Sequence, residues 1–219
     1  MTIKLSILRL ARAVVGLVLG CHLFAHAQTE PIEVASHWFQ ILNDVDRYEV
    51  QRSADAAYSG NYGISIRNVG APDGFGGVIQ IVKADAWRGQ RIVMRSWMRT
   101  EDAGTGQMWL RIDADDGVLA MDNMDDRPVT GTTDWRLYEI VMDVPKKAAL
   151  LVYGAFVVGA GRLLFDSVQI LPAPNGSDKP KVTTLYKGGE MKTPRGMTYT
   201  PPGSALDAPA NLDFELAAP

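Results

Sequence analysis

The feature that most constrains the fold is the period-two alternation within the stretch from Arg91 to Pro128, RIVMRSWMRTEDAGTGQMWLRIDADDGVLAMDNMDDRP. Two runs in it, Arg91 to Arg99 and Gln107 to Asp113, alternate between apolar residues and polar or aromatic ones, and a polar stretch with Gly104 and Gly106 separates them. Successive side chains of a strand point to opposite faces, so this alternation marks a half-buried strand. Two such runs joined by a glycine-bearing connection predict a β-hairpin. One face of it carries Ile92, Met94 and Met98 with Met108, Leu110 and Ile112; the other carries Arg95, Trp97 and Arg99 with Gln107, Trp109, Arg111 and Asp113. The first is a core face. The second suits either a covered sheet surface or a place where a polar, ring-shaped ligand lies.

Similar patterns flank this stretch. Arg47 to Arg52, Tyr62 to Arg67 after the Ser59-Gly60-Asn61 turn, Val78 to Lys83, Val118 to Met121, Trp135 to Val144 and Arg162 to Leu171 all read as strands. Ala149 to Val158 is a continuous apolar run, as expected of a strand buried on both faces. About nine short strands at roughly ten-residue spacing predict an all-β fold, a two-sheet antiparallel β-sandwich of the jelly-roll type. Trp135 and Tyr138 lie on opposite faces of one strand and read as packing residues.

The two ends of the chain have different characters. Lys4, Arg9 and Arg12 precede a short apolar run, Ala13 to Phe24, and Ala25-His26-Ala27 forms an A-x-A-like cleavage site, so residues 1–27 read as a secretory signal peptide. The run is too short to span a bilayer, which takes about 20 residues. Val18-Leu19-Gly20-Cys21 resembles a lipobox, so a lipid anchor at Cys21 is the alternative processing. The expected location is therefore periplasmic or secreted. Residues 28–171 form the domain, residues 172–208 a Pro/Gly-rich linker, and residues 209–219 a strand-like end; eight of the twelve prolines lie from Pro172 onward.

Loss of the leader removes several chemistries. Cys21 is the only cysteine, and His22 and His26 depart with it, leaving His37. No disulfide framework, thiol nucleophile or ordinary zinc site then remains, and a Ser/His/Asp triad would have to be built on His37. Beside Trp38, that residue reads as a surface or packing histidine. The net charge moves from −3 to −6, because the leader holds three basic residues and no acid, and an acidic chain without a basic stripe is no nucleic-acid partner.

The order Tyr48-Glu49-Val50, Tyr58-Ser59-Gly60-Asn61-Tyr62-Gly63-Ile64, Trp87-Arg88-Gly89-Gln90-Arg91, Trp97-Met98-Arg99-Thr100-Glu101-Asp102, Trp109-Leu110-Arg111, Met121-Asp122-Asn123-Met124, Asp126-Arg127-Pro128, Gly131-Thr132-Thr133-Asp134-Trp135, Asp143-Val144-Pro145 and Phe165-Asp166-Ser167-Val168 resembles a carbohydrate-binding, galactose-binding-like jelly-roll module. The resemblance covers about residues 36 to 170. It points to a bacterial subgroup that occurs alone in exported proteins and beside peptidase or regulator domains, and it implies a fold rather than a ligand. In that subgroup the module opens with a strand like Asn-Leu-Asp-Phe-Glu; here this motif stands at the other end, as Asn211 to Glu215. The segment is expected to return and pair with a sheet edge of its own or a neighbouring chain, the alternative being the stump of a second module.

The candidate ligand-binding residues are Trp97 and Trp109, for stacking on a sugar ring, and Arg95, Arg111 and Asp113, for bonding to hydroxyls or a carboxylate. Asp122, Asn123 and Arg127 join them from the adjoining loop. The competing account is a self-satisfied outer surface in which arginines stack on the tryptophans and pair with Asp113. The acids Asp113, Asp115, Asp116, Asp122, Asp125 and Asp126 lack EF-hand spacing and read as solvated turn acids. No cofactor is expected from the residues, although modules of this resemblance often carry a structural calcium. The leading reading is an exported non-catalytic module for a glycan or other polar envelope component. A structural or protein-interaction module using the C-terminal tail is the alternative, and a two-carboxylate glycoside hydrolase the third.

Overall fold

A computed structural model describes residues 32–42, 47–177 and 205–219. The leader with Cys21, and most of the linker, lie outside the described residues. Ten strands follow in order: β1 (Glu33–Ala35), β2 (Trp38–Leu42), β3 (Tyr48–Ser53), β4 (Gly63–Asn68), β5 (Phe75–Lys83), β6 (Arg91–Ala114), β7 (Gly117–Asp122), β8 (Val129–Asp143), β9 (Leu150–Val158) and β10 (Arg162–Pro172). Two short 3₁₀ turns, Ala54–Ala56 and Asp85–Trp87, interrupt them.

The predicted hairpin is not there. Arg91 to Ala114 is one continuous strand of 24 residues whose two halves do not pair with each other. The first half lies between β8 and β10; the second lies between β7 and β9. One sheet, sheet I, thus runs β8, β6, β10, β4, β3, and the other, sheet II, runs β7, β6, β9, β5, β2, β1, with every strand pairing antiparallel. Strand β6 crosses from sheet I to sheet II where its register with β8 slips between Met98 and Gly106. Gly104 and Gly106 serve this crossing rather than a turn. A Cβ on Gly104 would stand 2.6 Å from the Val158 carbonyl oxygen, and one on Gly106 2.9 Å from a Thr100 methyl.

The alternation itself holds on both halves. Val50, Ile66, Met94, Met98, Ile140, Leu163 and Phe165 from sheet I meet Trp38, Val78, Met108, Leu110, Leu151 and Tyr153 from sheet II in one buried core. This is the face-to-face packing of a β-sandwich, with the inward residue of each pair supplied by period two. Strands β1 and β2 have no such alternation in the sequence. They fold back on each other at His37, an exposed residue with φ of 67°, so the histidine marks a turn and no catalytic assembly surrounds it among the described residues.

The C-terminal residues complete this core. Leu206 bridges Val82 and exchanges main-chain bonds with Ile81 and Lys83. Beyond it the chain adds no ladder strand, unlike the expected pairing of residues 209–219 with an edge. It is held instead by discrete bonds: the buried Gln80 amide donates to the Ala210 carbonyl and accepts from its N–H, and the Trp38 indole donates to the Asn211 carbonyl. Phe214 is fully buried, 4.9 Å from the Trp38 ring and 5.7 Å from Phe165 between centroids. Arg52, stacked over Tyr62, donates to the carbonyls of Phe214 and Glu215. The Glu215 carboxylate accepts from the Asn61 and Tyr62 N–H groups and the Asn61 side chain.

Two outcomes are expected. Phe214→Ala should destabilise the domain by about 3–5 kcal/mol, the range for deleting a buried phenylalanine, in chemical denaturation. The bonds from Asn61, with those from Tyr62 and the Arg52 charge, hold the Glu215 carboxyl below its ordinary pKa. A depressed carboxylate contributes stability above its unfolded pKa and loses it as pH falls through the folded one. Melting temperature measured from neutral to acid pH should therefore drop less steeply in Glu215→Gln than in the parent.

Candidate functional site

Because β6 continues instead of turning, the sequence-based site is divided between the two outer surfaces of the sandwich. Trp97 and Arg95 lie on the outer face of sheet I. Trp109, Arg111 and Asp113 lie on the outer face of sheet II, so the two tryptophans do not share a surface.

On sheet II, register places Phe39, Ile79, Gly154 and Trp109 in one outward row and Ile41, Gly77, Phe156 and Gln107 in the next. A Cβ on Gly154 would meet the Val78 carbonyl at 1.8 Å, so the strands there approach too closely for any side chain. Trp109 packs with Ile41, Ile79, Ile81 and Val152, and Ala205 from the C-terminal segment touches the same cluster. The indole is 9 % exposed. The Arg111 guanidinium lies 5.8 Å from its centroid and pairs with Asp113 at 2.8 Å. Trp109 Nε1 and Asp113 Oδ1 are buried and lack hydrogen-bond partners among the described residues. This is the self-satisfied surface that the sequence admitted as the competing account, apart from those two atoms. Its tryptophan has no free ring face to offer a sugar.

Asp122, Asn123 and Arg127 hold the loop after β7. Asp122 is fully buried; it accepts from the Met124 N–H and pairs with Arg127 at 2.7 Å. Gln107 reaches across from β6 to the Asn123 carbonyl and the Asp125 carboxylate. An open depression of about 410 Å³ lies between this loop and β8, lined by Met124, Arg127, Leu137, Tyr138 and Glu139. Among the described residues no group of three or more His, Cys, Asp or Glu side chains is assembled to hold a metal.

On sheet I the outward rows are Leu137, Trp97 and Asp166, then Glu139, Arg95 and Gln169. The Trp97 ring is half-buried because Tyr58 stacks on it, with centroids 3.9 Å apart and planes 11° from parallel. Trp135 meets Tyr58 edge-on at 5.6 Å. Tyr58 is 41 % exposed and Leu137 43 %, so a partly exposed aromatic shelf stands on this surface. Arg95 donates to the Gln169 side chain beside it, and Arg99 pairs with Glu101.

The shelf depends on a residue the sequence reading did not single out. Asp166 is fully buried at the bulge of β10, and its carboxylate accepts from the N–H groups of Tyr58, Ser59 and Ser167. It ties the 57–60 loop onto the sheet and so sets the Tyr58 ring over Trp97. Burial raises its pKa above the ordinary carboxylate value, against the opposing pull of those three N–H groups. The Tyr58 contacts with Trp97 and Trp135 were equally unforeseen, since all three residues are distant from one another in the chain.

No protein-family model matches the chain. The uncharacterized HTH-type transcriptional regulator YbfP of Bacillus subtilis (strain 168) is 31 % identical over 182 residues, 82 % of this chain and 54 % of that protein. The chain thus spans about half the length of this curated relative. Among solved structures, the enzymatically active domain of bacteriophage CBA120 tailspike protein 4 is similar at 16 % identity and a TM-score of 0.49, over 63 % of this chain and 20 % of that one. A family 16 carbohydrate-binding module is similar at 17 % identity and a TM-score of 0.44, over 57 % and 86 %. The CBM22-1–GH10 modules of Clostridium thermocellum xylanase 10B give 14 % and 0.47, over 68 % and 29 %. The fold is the antiparallel β-sandwich that the resemblance implied, and carbohydrate-binding modules are among its structural neighbours. These likenesses are distant, and no ligand or activity passes from them to this chain.

Proposed function

We propose that this chain is an exported, non-catalytic glycan-recognition module whose binding surface is the outer face of sheet I around Tyr58, Trp97 and Trp135. The observation that carries this reading is the Tyr58 ring, stacked on Trp97 at 3.9 Å while the residue stays 41 % exposed. A ring fixed in this way loses little freedom when the apolar face of a pyranose lies on it, so the stacking energy is not spent on ordering the loop. Arg95, Gln169 and Glu139 in the neighbouring row supply donors and acceptors for hydroxyl groups. Two acids of sheet I are already committed: Asp166 to three N–H groups, and Glu101 to Arg99 and Arg162. Export rests on the basic n-region, apolar run and Ala25-His26-Ala27 site of the leader.

A glycan array probed with the parent chain should give binding that falls by about tenfold or more, ~1.4 kcal/mol, in Tyr58→Ala and Trp97→Ala. Asp166→Ala should lose binding as well, and hydrogen exchange should show the Tyr58 and Ser59 amides losing protection. Binding that survives Tyr58→Ala, or no binding to any glycan, rejects the assignment. N-terminal sequencing of the chain recovered from the periplasm or medium should begin at Gln28; a chain retained in the cytoplasm with its leader intact rejects export.

A further inference from the structure

The open end of the sandwich recognises residues 206–216 in the manner of a bound peptide. Main-chain groups of the segment are read at Ile81, Lys83, Gln80, Trp38, Val168, Arg52 and Ser36, and these residues come from four strands and one turn that the segment itself does not form. Two side chains are selected. Phe214 enters a pocket between Trp38 and Phe165, and the Glu215 carboxylate sits in a cup of three donors at Asn61 and Tyr62. Main-chain bonds for adhesion with one aromatic and one charged pocket for selection is the general logic of peptide capture by a sheet protein.

Between Ser177, where the described domain ends, and Ala205 lie residues 178–204. Those 27 residues could reach roughly 90 Å if extended, at about 3.3 Å each, several times the ~14 Å radius of gyration of a domain of this size. Nothing in that length restricts the segment to its own slot. We propose that this slot is an exchangeable peptide-binding site whose other occupant is the C-terminal segment of a second copy of the same chain, giving reciprocally swapped dimers. A tethered segment faces its own slot at an effective concentration on the order of mM. The closed monomer therefore holds in dilute solution, and exchange takes over where copies are crowded to a comparable density. The proposal does not depend on the glycan reading, because slot and aromatic shelf use different residues.

The test uses full-length chains. A chain carrying Phe214→Ala supplies a slot with a weakened segment, and a fluorescent peptide of residues 205–219 is titrated against it. Saturable binding that raises the melting temperature of the Phe214→Ala chain supports the proposal, provided peptides carrying Phe214→Ala or Glu215→Gln bind at least about tenfold more weakly. Equal binding of the altered peptides, or none by a chain whose near-ultraviolet circular dichroism is native, overturns it. Should Phe214→Ala not fold, the same peptide is incubated with the parent chain at concentrations above the mM range, where sequence-dependent incorporation supports the slot and its absence overturns it. For the dimer, parent chains with two different fluorophores are concentrated together and then diluted. Persistent energy transfer that Glu215→Gln weakens supports swapping, and strictly monomeric chains at every concentration overturn it.

Discussion

Strand β6 is the constraint on which the sandwich depends. Each half has two neighbours, and the neighbours belong to different sheets, so the chain at Met98 to Gly106 is the covalent and hydrogen-bonded joint between them. Because the side-chain period is two along the whole strand, the crossing must preserve which side faces inward on both sheets. The register slips and the two glycines accomplish this: Met94 and Met98 point into the same core as Met108 and Leu110. A one-residue insertion there would turn one half of the core outward while leaving the other in place.

The second dependence is chemical rather than geometric. Buried polar groups are tolerated where their bonds are complete, and here several are completed only by the C-terminal segment. Gln80 is fully buried with its amide divided among the Tyr153 hydroxyl, the His37 carbonyl and Ala210. Tyr153, whose burial pushes its pKa well above the ordinary value, thus reaches the tail through one intervening amide. Asp166 does the equivalent on the outside of sheet I, converting a burial cost into the placement of an aromatic ring.

Much of this was legible in the residues, and the failures have identifiable causes. Alternation located β3 through β8 and β10, and a continuous apolar run located β9, which is buried on both faces. It could not distinguish a hairpin from a strand that changes sheets, since the inward and outward sets are identical in both and glycine suits a turn and a close crossing alike. The division of Trp97 from Trp109 follows from that single ambiguity. Strands β1 and β2 were invisible because their reversal uses His37 at positive φ, where no glycine or asparagine announces a turn. Tyr58 stood beside the Ser59-Gly60-Asn61 turn with no role of its own, because the carboxylate that aims it is 108 residues away. The motif at Asn211 to Glu215 was recognisable as belonging to the module, yet its bonding as a discrete plug depends on the shape of an opening that no local pattern encodes.

The position of Phe214 also sets an order of events during synthesis. At translation rates of about 5–20 residues per second, the sheets are all made well before residue 214, yet the aromatic pocket between Trp38 and Phe165 stays unfilled until it arrives. A nascent chain therefore has its strands without its closed core for about 2–8 seconds. A protein completed from its far end in this way closes its aromatic core only after its last strand has been made.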